Sequence, residues 1–180
     1  EIAPLGPGRR EERLLQIILE LQATVSAIEA CRKPVIAAIH GACVGGGIDI
    51  SSACDLRFAA ASARFAVKEI DVAIVADLGT LQRLPRLVGE GLARELALTG
   101  REFSAEEAAR IGFVNAVLPD ADATLAHALA VARTIAAKSP LAVRGTKETL
   151  NFSRDHAVAE GLAFVAARNA ALLAAPDVPE

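Results

Sequence analysis

The stretch Lys33-Pro-Val-Ile-Ala-Ala-Ile-His-Gly-Ala-Cys-Val-Gly-Gly-Gly-Ile-Asp49 decides the fold of this chain. Its apolar run at 35–39 is short and does not alternate with polar residues, which is typical of a strand buried on both faces. Three glycines at 45–47 then lead into a helix-like segment through Ala53. A strand, a glycine turn and a helix start present unpaired backbone N–H groups at the positive end of a helix dipole. The stretch therefore predicts a site for a negatively charged oxygen.

Composition excludes several classes of protein. The chain has 180 residues, 53% of them apolar, and a net charge of −3, which favours one domain with a sizeable core over a disordered chain. Its basic residues are scattered, so nucleic acid is not an expected partner. No apolar run is long enough to span a bilayer. We expect a cytoplasmic protein of a bacterium, or a mitochondrial or peroxisomal one if the source is eukaryotic.

Cysteine and metal patterns are weak. Cys31, Cys43 and Cys54 show no C-x-x-C spacing, so we expect reduced, buried thiols. No set of residues has the spacing of metal ligands, and we predict no metal. The chain begins with Glu and contains no Met, so we expect that the natural N-terminus lies further upstream.

Strands and helices alternate as far as residue 118, and only helices follow. Strands are predicted at 35–40, 55–60, 64–67 and 113–118. Helices are predicted at 10–31, 78–84 (closed by Pro85), 91–99, 104–112, 121–138, 140–150 and 154–174. This order indicates an α/β core at 1–120 and a helical region at 121–180. The last helix is so apolar that it requires a partner surface, either the protein's own core or another subunit.

The glycine turn is not a known phosphate loop. No Gly-Lys-Ser/Thr follows it, and Gly41 is followed by Ala-Cys-Val rather than the G-x-G-x-x-G spacing. A Rossmann-type nucleotide-binding protein is therefore disfavoured. A tight turn that only packs a helix on a strand remains an equal alternative to the anion site.

Carboxylates near the turn are the candidate acids and bases. Asp49 lies in the first helical turn, where stabilisation of the helix dipole is the simpler explanation. Glu69 and Asp77 flank an apolar run, and carboxylates in such surroundings lose hydration, so that a protonated acid and an ionised base coexist near neutral pH. Asp77 is also a normal helix N-cap. Spacing alone does not exclude Asp55 or Asp71.

Several motifs in the same order resemble those of one family. They are Lys33-Pro-Val-Ile-Ala-Ala-Ile-His-Gly, Gly45-Gly-Gly, Cys54-Asp55, Phe65, Glu69, Gly79-Thr-Leu-Gln-Arg-Leu and the segment from Gly100 through Asn115. From about residue 33 onward the chain is similar to the crotonase (enoyl-CoA hydratase/isomerase) family. The resemblance implies a ClpP-like superhelix of β-β-α units, here lacking its N-terminal part, with a C-terminal helical trimerisation region. It also implies a homotrimer or a hexamer made of two trimers.

The resemblance implies an acyl-CoA substrate and no separate cofactor, since coenzyme A is part of the substrate. The family stabilises a thioester enolate with two backbone N–H groups, one of which corresponds to Gly46. The other comes from a loop before Lys33, and nothing in residues 1–32 resembles that loop.

Three carboxylates indicate a subgroup. Hydratases of the family carry Glu at the position of Asp49 and a small residue at that of Asp77, so Asp49, Glu69 and Asp77 together resemble the delta-3,5-delta-2,4-dienoyl-CoA isomerases. There Glu69 would remove a proton at C2, Asp77 would return one at C6, and Asp49 would orient the pair or hold a polar contact. The alternatives are an enoyl-CoA hydratase, with water held by Asp49 and Glu69, and a non-catalytic oligomeric scaffold.

Overall fold

The structure, a computed structural model, describes residues 6–173. The helices are α1 Pro7–Ala30, α2 Gly46–Ala53, α3 Thr80–Val88, α4 Glu90–Thr99, α5 Ala105–Arg110, α6 Ala121–Ala136, α7 Pro140–Arg154 and α8 Val158–Leu172. The strands are β1 Ile36–Ile39, β2 Ala42–Val44, β3 Leu56–Ala60, β4 Arg64–Ala66, β5 Phe103–Ser104 and β6 Ala116–Leu118, and a 3₁₀ helix covers Glu69–Val72. The chain divides into two compact units, one with residues up to 30 and 35–128, the other with 31–34 and 129 onward.

The first unit contains two three-stranded sheets. One has the order β1-β3-β6, with both pairings parallel; the other has the order β2-β4-β5, with β2 and β4 parallel. Successive strands such as β1 and β2 thus enter different sheets before α2 follows. This alternation is the β-β-α unit of the expected superhelix, and the predicted fold class is confirmed.

A cluster of aromatic rings holds the second sheet to the helices that follow it. Phe65, Phe103 and Phe113 are buried, and their ring centroids lie 5.3 to 6.1 Å apart. Phe65 and Phe103 face each other across the antiparallel pairing of β4 and β5. Burial of such side chains contributes about 1.5 to 3 kcal/mol each, so this cluster fixes the strand that leads to the 3₁₀ helix.

Arg57 anchors the C-terminal end of α2. Its guanidinium donates to the Cys54 carbonyl at 2.6 Å through Nη1 and to the Phe113 carbonyl at 2.6 Å through Nε. The backbone N–H of Arg57 donates to Asn115 Oδ1 at 2.8 Å. Because a buried arginine satisfies carbonyls that a helix end leaves unpaired, α2 is held firmly against β3.

The second unit is built on the packing of α7 against α8. Phe152 stacks on His156 and on Phe164, with ring centroids 3.7 and 4.3 Å apart. Glu148 bridges two arginines, Arg144 on its own helix and Arg168 on α8, and these contacts lower the pKa of its carboxyl group. An oligomerisation region at 121–180 stays a prediction.

Several expectations about local structure were wrong. Asp77 is not the cap of α3, whose N-cap is Gly79. Strand β2 was missed, because its three residues lie between glycines. Pro85 lies inside α3 rather than after it: proline removes one donor, and the helix continues until Gly89 N–H bonds the Pro85 carbonyl at 2.9 Å. Cys31 is exposed in the connection that follows α1. The strand predicted at 113–118 is formed only at Ala116–Leu118.

In the described part of the chain we find no helix both long and apolar enough to cross a membrane.

Candidate functional site

The start of α2 forms one side of the site. Gly45 adopts φ 54° and ψ −115°, a conformation that residues with a Cβ rarely reach. Its carbonyl accepts the N–H groups of Ile48 at 2.7 Å and Asp49 at 3.3 Å. The exposed Gly46 is the first helical residue, and within residues 6–173 its N–H donates no hydrogen bond to the backbone. A helix N-terminus with an unpaired amide is suited to a negatively charged oxygen.

The tight-packing explanation of the glycine turn has less support at Gly46 and Gly47. A Cβ on Gly47 would lie 3.4 Å from Cys43 Sγ, on the strand that precedes α2, which is an ordinary van der Waals distance. A Cβ on Gly46 would meet nothing within 4 Å. Gly45, with its φ of 54°, is the residue of the turn whose conformation favours glycine.

Glu69 lies beside this turn because of the sheet. Strands β2 and β4 are parallel, with Val44 paired to Ala66, so the segments that follow them leave the same edge. Glu69 Oε1 lies 3.2 Å from the position that a Cβ on Gly45 would take. Glu69 Oε2 is buried and has no hydrogen-bond partner in the described part of the chain. A buried carboxylate oxygen without a partner is costly and is a candidate for chemistry.

Asp49 is only 2% exposed and joins α2 to α3. Its Oδ1 accepts the backbone N–H of Thr80 at 2.8 Å and the Thr80 hydroxyl at 2.7 Å. Asp49 thus satisfies the first amide of α3, which sequence reasoning did not predict. A threonine directly after Gly79, near the predicted start of the helix, was the signal available in the sequence.

Asp77 is exposed, and among the described residues its carboxylate makes no hydrogen bond. Its backbone carbonyl accepts Gln22 Nε2 at 2.6 Å. The apolar run before it was expected to bury the carboxylates, but Ile70 and Val75 are 46% and 71% exposed. Only Ala76 of that segment is buried, because a 3₁₀ helix and an extended stretch turn their side chains outward here.

The two remaining candidate aspartates, Asp55 and Asp71, make contacts away from the glycine turn. Asp55 Oδ2 accepts the N–H of Val35 at 2.7 Å, which ties the start of β1 to β3. Asp71 Oδ2 pairs with Lys68 Nζ at 2.8 Å on the surface. Spacing alone could not separate them from the candidates, whereas their contacts give both a structural role. Across residues 6–173 no group of three or more His, Cys, Asp or Glu side chains is placed to hold a metal ion.

We expect Thr80→Val to destabilise the protein by about 1.5 to 3 kcal/mol, because it removes a hydrogen bond to a buried carboxylate. Thr80→Ser keeps the hydroxyl and loses one methyl group, at a cost of about 1 kcal/mol. Urea unfolding of both variants measures the difference. A free energy of unfolding for Thr80→Val equal to that of the unsubstituted protein would show that the contact between the Thr80 hydroxyl and Asp49 Oδ1 contributes nothing.

Comparisons with known proteins indicate one family. The family model described as enoyl-CoA hydratase/isomerase matches residues 10–174. The peroxisomal Delta(3,5)-Delta(2,4)-dienoyl-CoA isomerase of Arabidopsis thaliana is 51% identical over 173 residues, which cover 96% of this chain and 62% of that protein. The mitochondrial isomerase of the same name from Homo sapiens is 51% identical over 166 residues, covering 92% of this chain and 51% of that protein.

A solved structure has the same fold. The enoyl-CoA hydratase from Bacillus anthracis superimposes with a TM-score of 0.87 at 37% identity, over 92% of this chain and 64% of that one. The chain spans between half and two thirds of the length of the relatives named here. With the family model matching nearly the whole chain, and with α2, the glycine turn and Glu69 arranged as described, the chain belongs to the enoyl-CoA hydratase/isomerase, or crotonase, family.

Proposed function

We propose that the protein carrying this chain isomerises 3,5-dienoyl-CoA to 2,4-dienoyl-CoA. The observation that carries the proposal is the Glu69 carboxylate, which lies against the turn at the start of α2 with one buried oxygen lacking a hydrogen-bond partner. A base and an N–H donor for a developing negative charge are thereby neighbours. Relatives at about 50% identity that carry the name of this isomerase support the choice of reaction.

The first half of the reaction is removal of a proton from C2 of the substrate. Glu69 takes this proton, and the electron pair is delocalised over the conjugated chain to the thioester oxygen. The Gly46 N–H stabilises that oxygen together with the dipole of α2. Removal of one such donor typically costs about 3 kcal/mol of transition-state stabilisation.

The second half returns a proton at C6. Asp77, which has to be protonated when the reaction starts, donates it, the double bonds shift to C2–C3 and C4–C5, and the thioester carbonyl is restored. Glu69 ends protonated and Asp77 ionised, and exchange with water resets both groups. The Asp77 carboxylate makes no hydrogen bond in residues 6–173, and a bound acyl chain that displaces water from it would favour the protonated form that this role needs. Asp49 keeps α3 in place through Thr80, which makes it a positioning residue in this scheme.

A hydratase is the second candidate, since the solved relative from Bacillus anthracis carries that name. In a hydratase Asp49 and Glu69 would jointly hold the water that adds to a 2-enoyl-CoA. Against this, Asp49 Oδ1 already accepts two hydrogen bonds from the buried Thr80. The isomerase is therefore the better supported proposal.

We further propose that the protein forms trimers or hexamers and binds acyl-CoA without another cofactor. Support for self-association comes from large apolar side chains exposed on the second unit. They include Leu150, Val158, Leu162 and Leu173. By their printed names, the two curated relatives are peroxisomal and mitochondrial, which supports an organelle if the source is eukaryotic.

The test is a direct ultraviolet assay of the intact protein with 3,5-dienoyl-CoA and 2-enoyl-CoA side by side. We expect the absorbance of a conjugated 2,4-dienoyl thioester to rise, with slow or no hydration of the enoyl substrate. Fast hydration without isomerisation would identify a hydratase. Failure to bind either thioester would favour the scaffold.

A further inference from the structure

We propose that Arg83 and Gln22 are positioning residues for Asp77. This inference rests on the proposed function, in which Asp77 returns the proton at C6. Because the Asp77 carboxylate makes no hydrogen bond among residues 6–173, its location depends on the backbone that carries it. Two successive carbonyls of that backbone, those of Asp77 and Leu78, each accept a hydrogen bond from a side chain of α1 or α3.

Arg83 links three parts of the fold. Its Nη1 donates to the Leu78 carbonyl at 3.2 Å, next to Asp77 in the chain. Its Nε and Nη2 donate to Glu29 Oε2 at 3.2 and 3.0 Å, and Nη2 also donates to Ser26 Oγ at 3.3 Å. The Arg83 and Glu29 side chains are only 13% and 18% exposed. A paired guanidinium in such surroundings has a well-defined geometry, which it transmits to the loop.

Gly79 matches this arrangement. It adopts φ 121°, and a Cβ at this position would lie 1.8 Å from Arg83 Nη1. The guanidinium therefore occupies the space that a side chain at 79 would need. The segment 77–79, here called the Asp77 loop, and the Arg83 side chain therefore pack so closely that position 79 has no room for a side chain.

Helix α1 supplies the remaining contacts from one face. Gln22, Ser26 and Glu29 are spaced by four and three residues, which places them in line over two helical turns. Gln22 Nε2 donates to the Asp77 carbonyl at 2.6 Å, while Ser26 and Glu29 hold Arg83. One face of α1 thereby holds the Asp77 carbonyl directly, through Gln22, and the Leu78 carbonyl indirectly, through Arg83. A displacement of about 1 Å at a reacting group costs up to about 10²-fold in rate.

The experiment compares Arg83→Met and Gln22→Met in the intact protein, with Arg94→Met as the matched control. Arg94 pairs with Glu90 on the surface of α4, where both side chains are more than 70% exposed (73% and 75%). We expect the two test variants to lower kcat for 3,5-dienoyl-CoA by about 10- to 100-fold with little change in KM. Exchange of the C2 protons with deuterated solvent should continue, because Glu69 is not held by these contacts. The control variant should keep full kcat.

Combination with Asp77→Asn completes the test. If Arg83 acts through Asp77, adding Arg83→Met or Gln22→Met to Asp77→Asn lowers the residual rate no further. Three outcomes would overturn the inference. The loss of kcat in a double variant could equal the product of the two single losses, or C2 exchange could fall as much as kcat in the single variants. The third is an unchanged kcat in both Arg83→Met and Gln22→Met. Should Arg83→Met fail to fold, Gln22→Met and the conservative Arg83→Lys carry the same comparison. Full isomerisation by Asp77→Asn would overturn the proposed function as well, whereas unchanged kcat in the Arg83 and Gln22 variants alone would overturn only this inference.

Discussion

Replacement of Glu69 by Gln is expected to lower kcat for 3,5-dienoyl-CoA by between about 10²- and 10⁴-fold and to stop exchange of the C2 protons with solvent. Gln has nearly the same shape as Glu but cannot accept the proton, and general base catalysis contributes a factor of this size. The glycine turn and the Gly46 N–H stay in place, so substrate binding should change little. Steady-state kinetics and proton exchange followed by NMR in deuterated water measure the two effects.

The same substitution should not destabilise the fold. Glu69 Oε2 is buried without a hydrogen-bond partner in the described residues, and a neutral amide at this place costs less to bury than a charged carboxylate. We therefore expect an unchanged or higher Tm for Glu69→Gln. Glu90→Gln, at an exposed pair on α4, is the matched control and should leave kinetics and Tm unchanged. Continued C2 exchange in Glu69→Gln would remove Glu69 from the role of base.

Elements of the fold were predictable where the local sequence pattern was strong and did not depend on contacts with distant residues. The strand predicted at 35–40, which forms at Ile36–Ile39, and the glycine turn at 45–47 were predicted from apolar content and backbone freedom alone. Strand β2 was missed because three residues between glycines show no periodicity. Pro85 was misplaced because one missing donor is tolerated when neighbouring turns of the helix are complete.

The candidate site was likewise predictable from the sequence only in part. Placement of Glu69 beside the turn follows from two parallel strands whose ends share a sheet edge. The contacts of Thr80 with Asp49, of Arg83 with Glu29 and of Gln22 with Asp77 join residues 31, 54 and 55 positions apart. No period or spacing encodes such contacts, because they depend on how separate elements pack. Sequence therefore suggested which carboxylates to consider but not what holds them.

Replacement of Asp77 by Asn is expected to block isomerisation while leaving the first proton transfer intact. The loss in kcat should again be between about 10²- and 10⁴-fold, because an amide cannot donate the proton that C6 requires. Exchange of the C2 protons should continue, since Glu69 and Gly46 lie at the turn of α2 and not on the Asp77 loop. This pattern is the opposite of the one expected for Glu69→Gln with respect to exchange.

Asp77→Asn should change activity without changing the stability of the fold. The Asp77 carboxylate is exposed and makes no hydrogen bond among residues 6–173, so the free energy of unfolding should change by no more than about 0.5 kcal/mol. Asp71→Asn is the matched control, because it removes a carboxylate of the same segment whose one ion pair among the described residues is with Lys68 on the surface. It should isomerise at the rate of the unsubstituted protein. If Asp71→Asn is as impaired as Asp77→Asn, the segment as a whole and not the Asp77 carboxyl group is needed, and the assignment of the C6 proton to Asp77 is wrong. If only Asp77→Asn loses isomerisation and retains exchange, the two proton transfers belong to two different carboxylates, with Glu69 at C2 and Asp77 at C6.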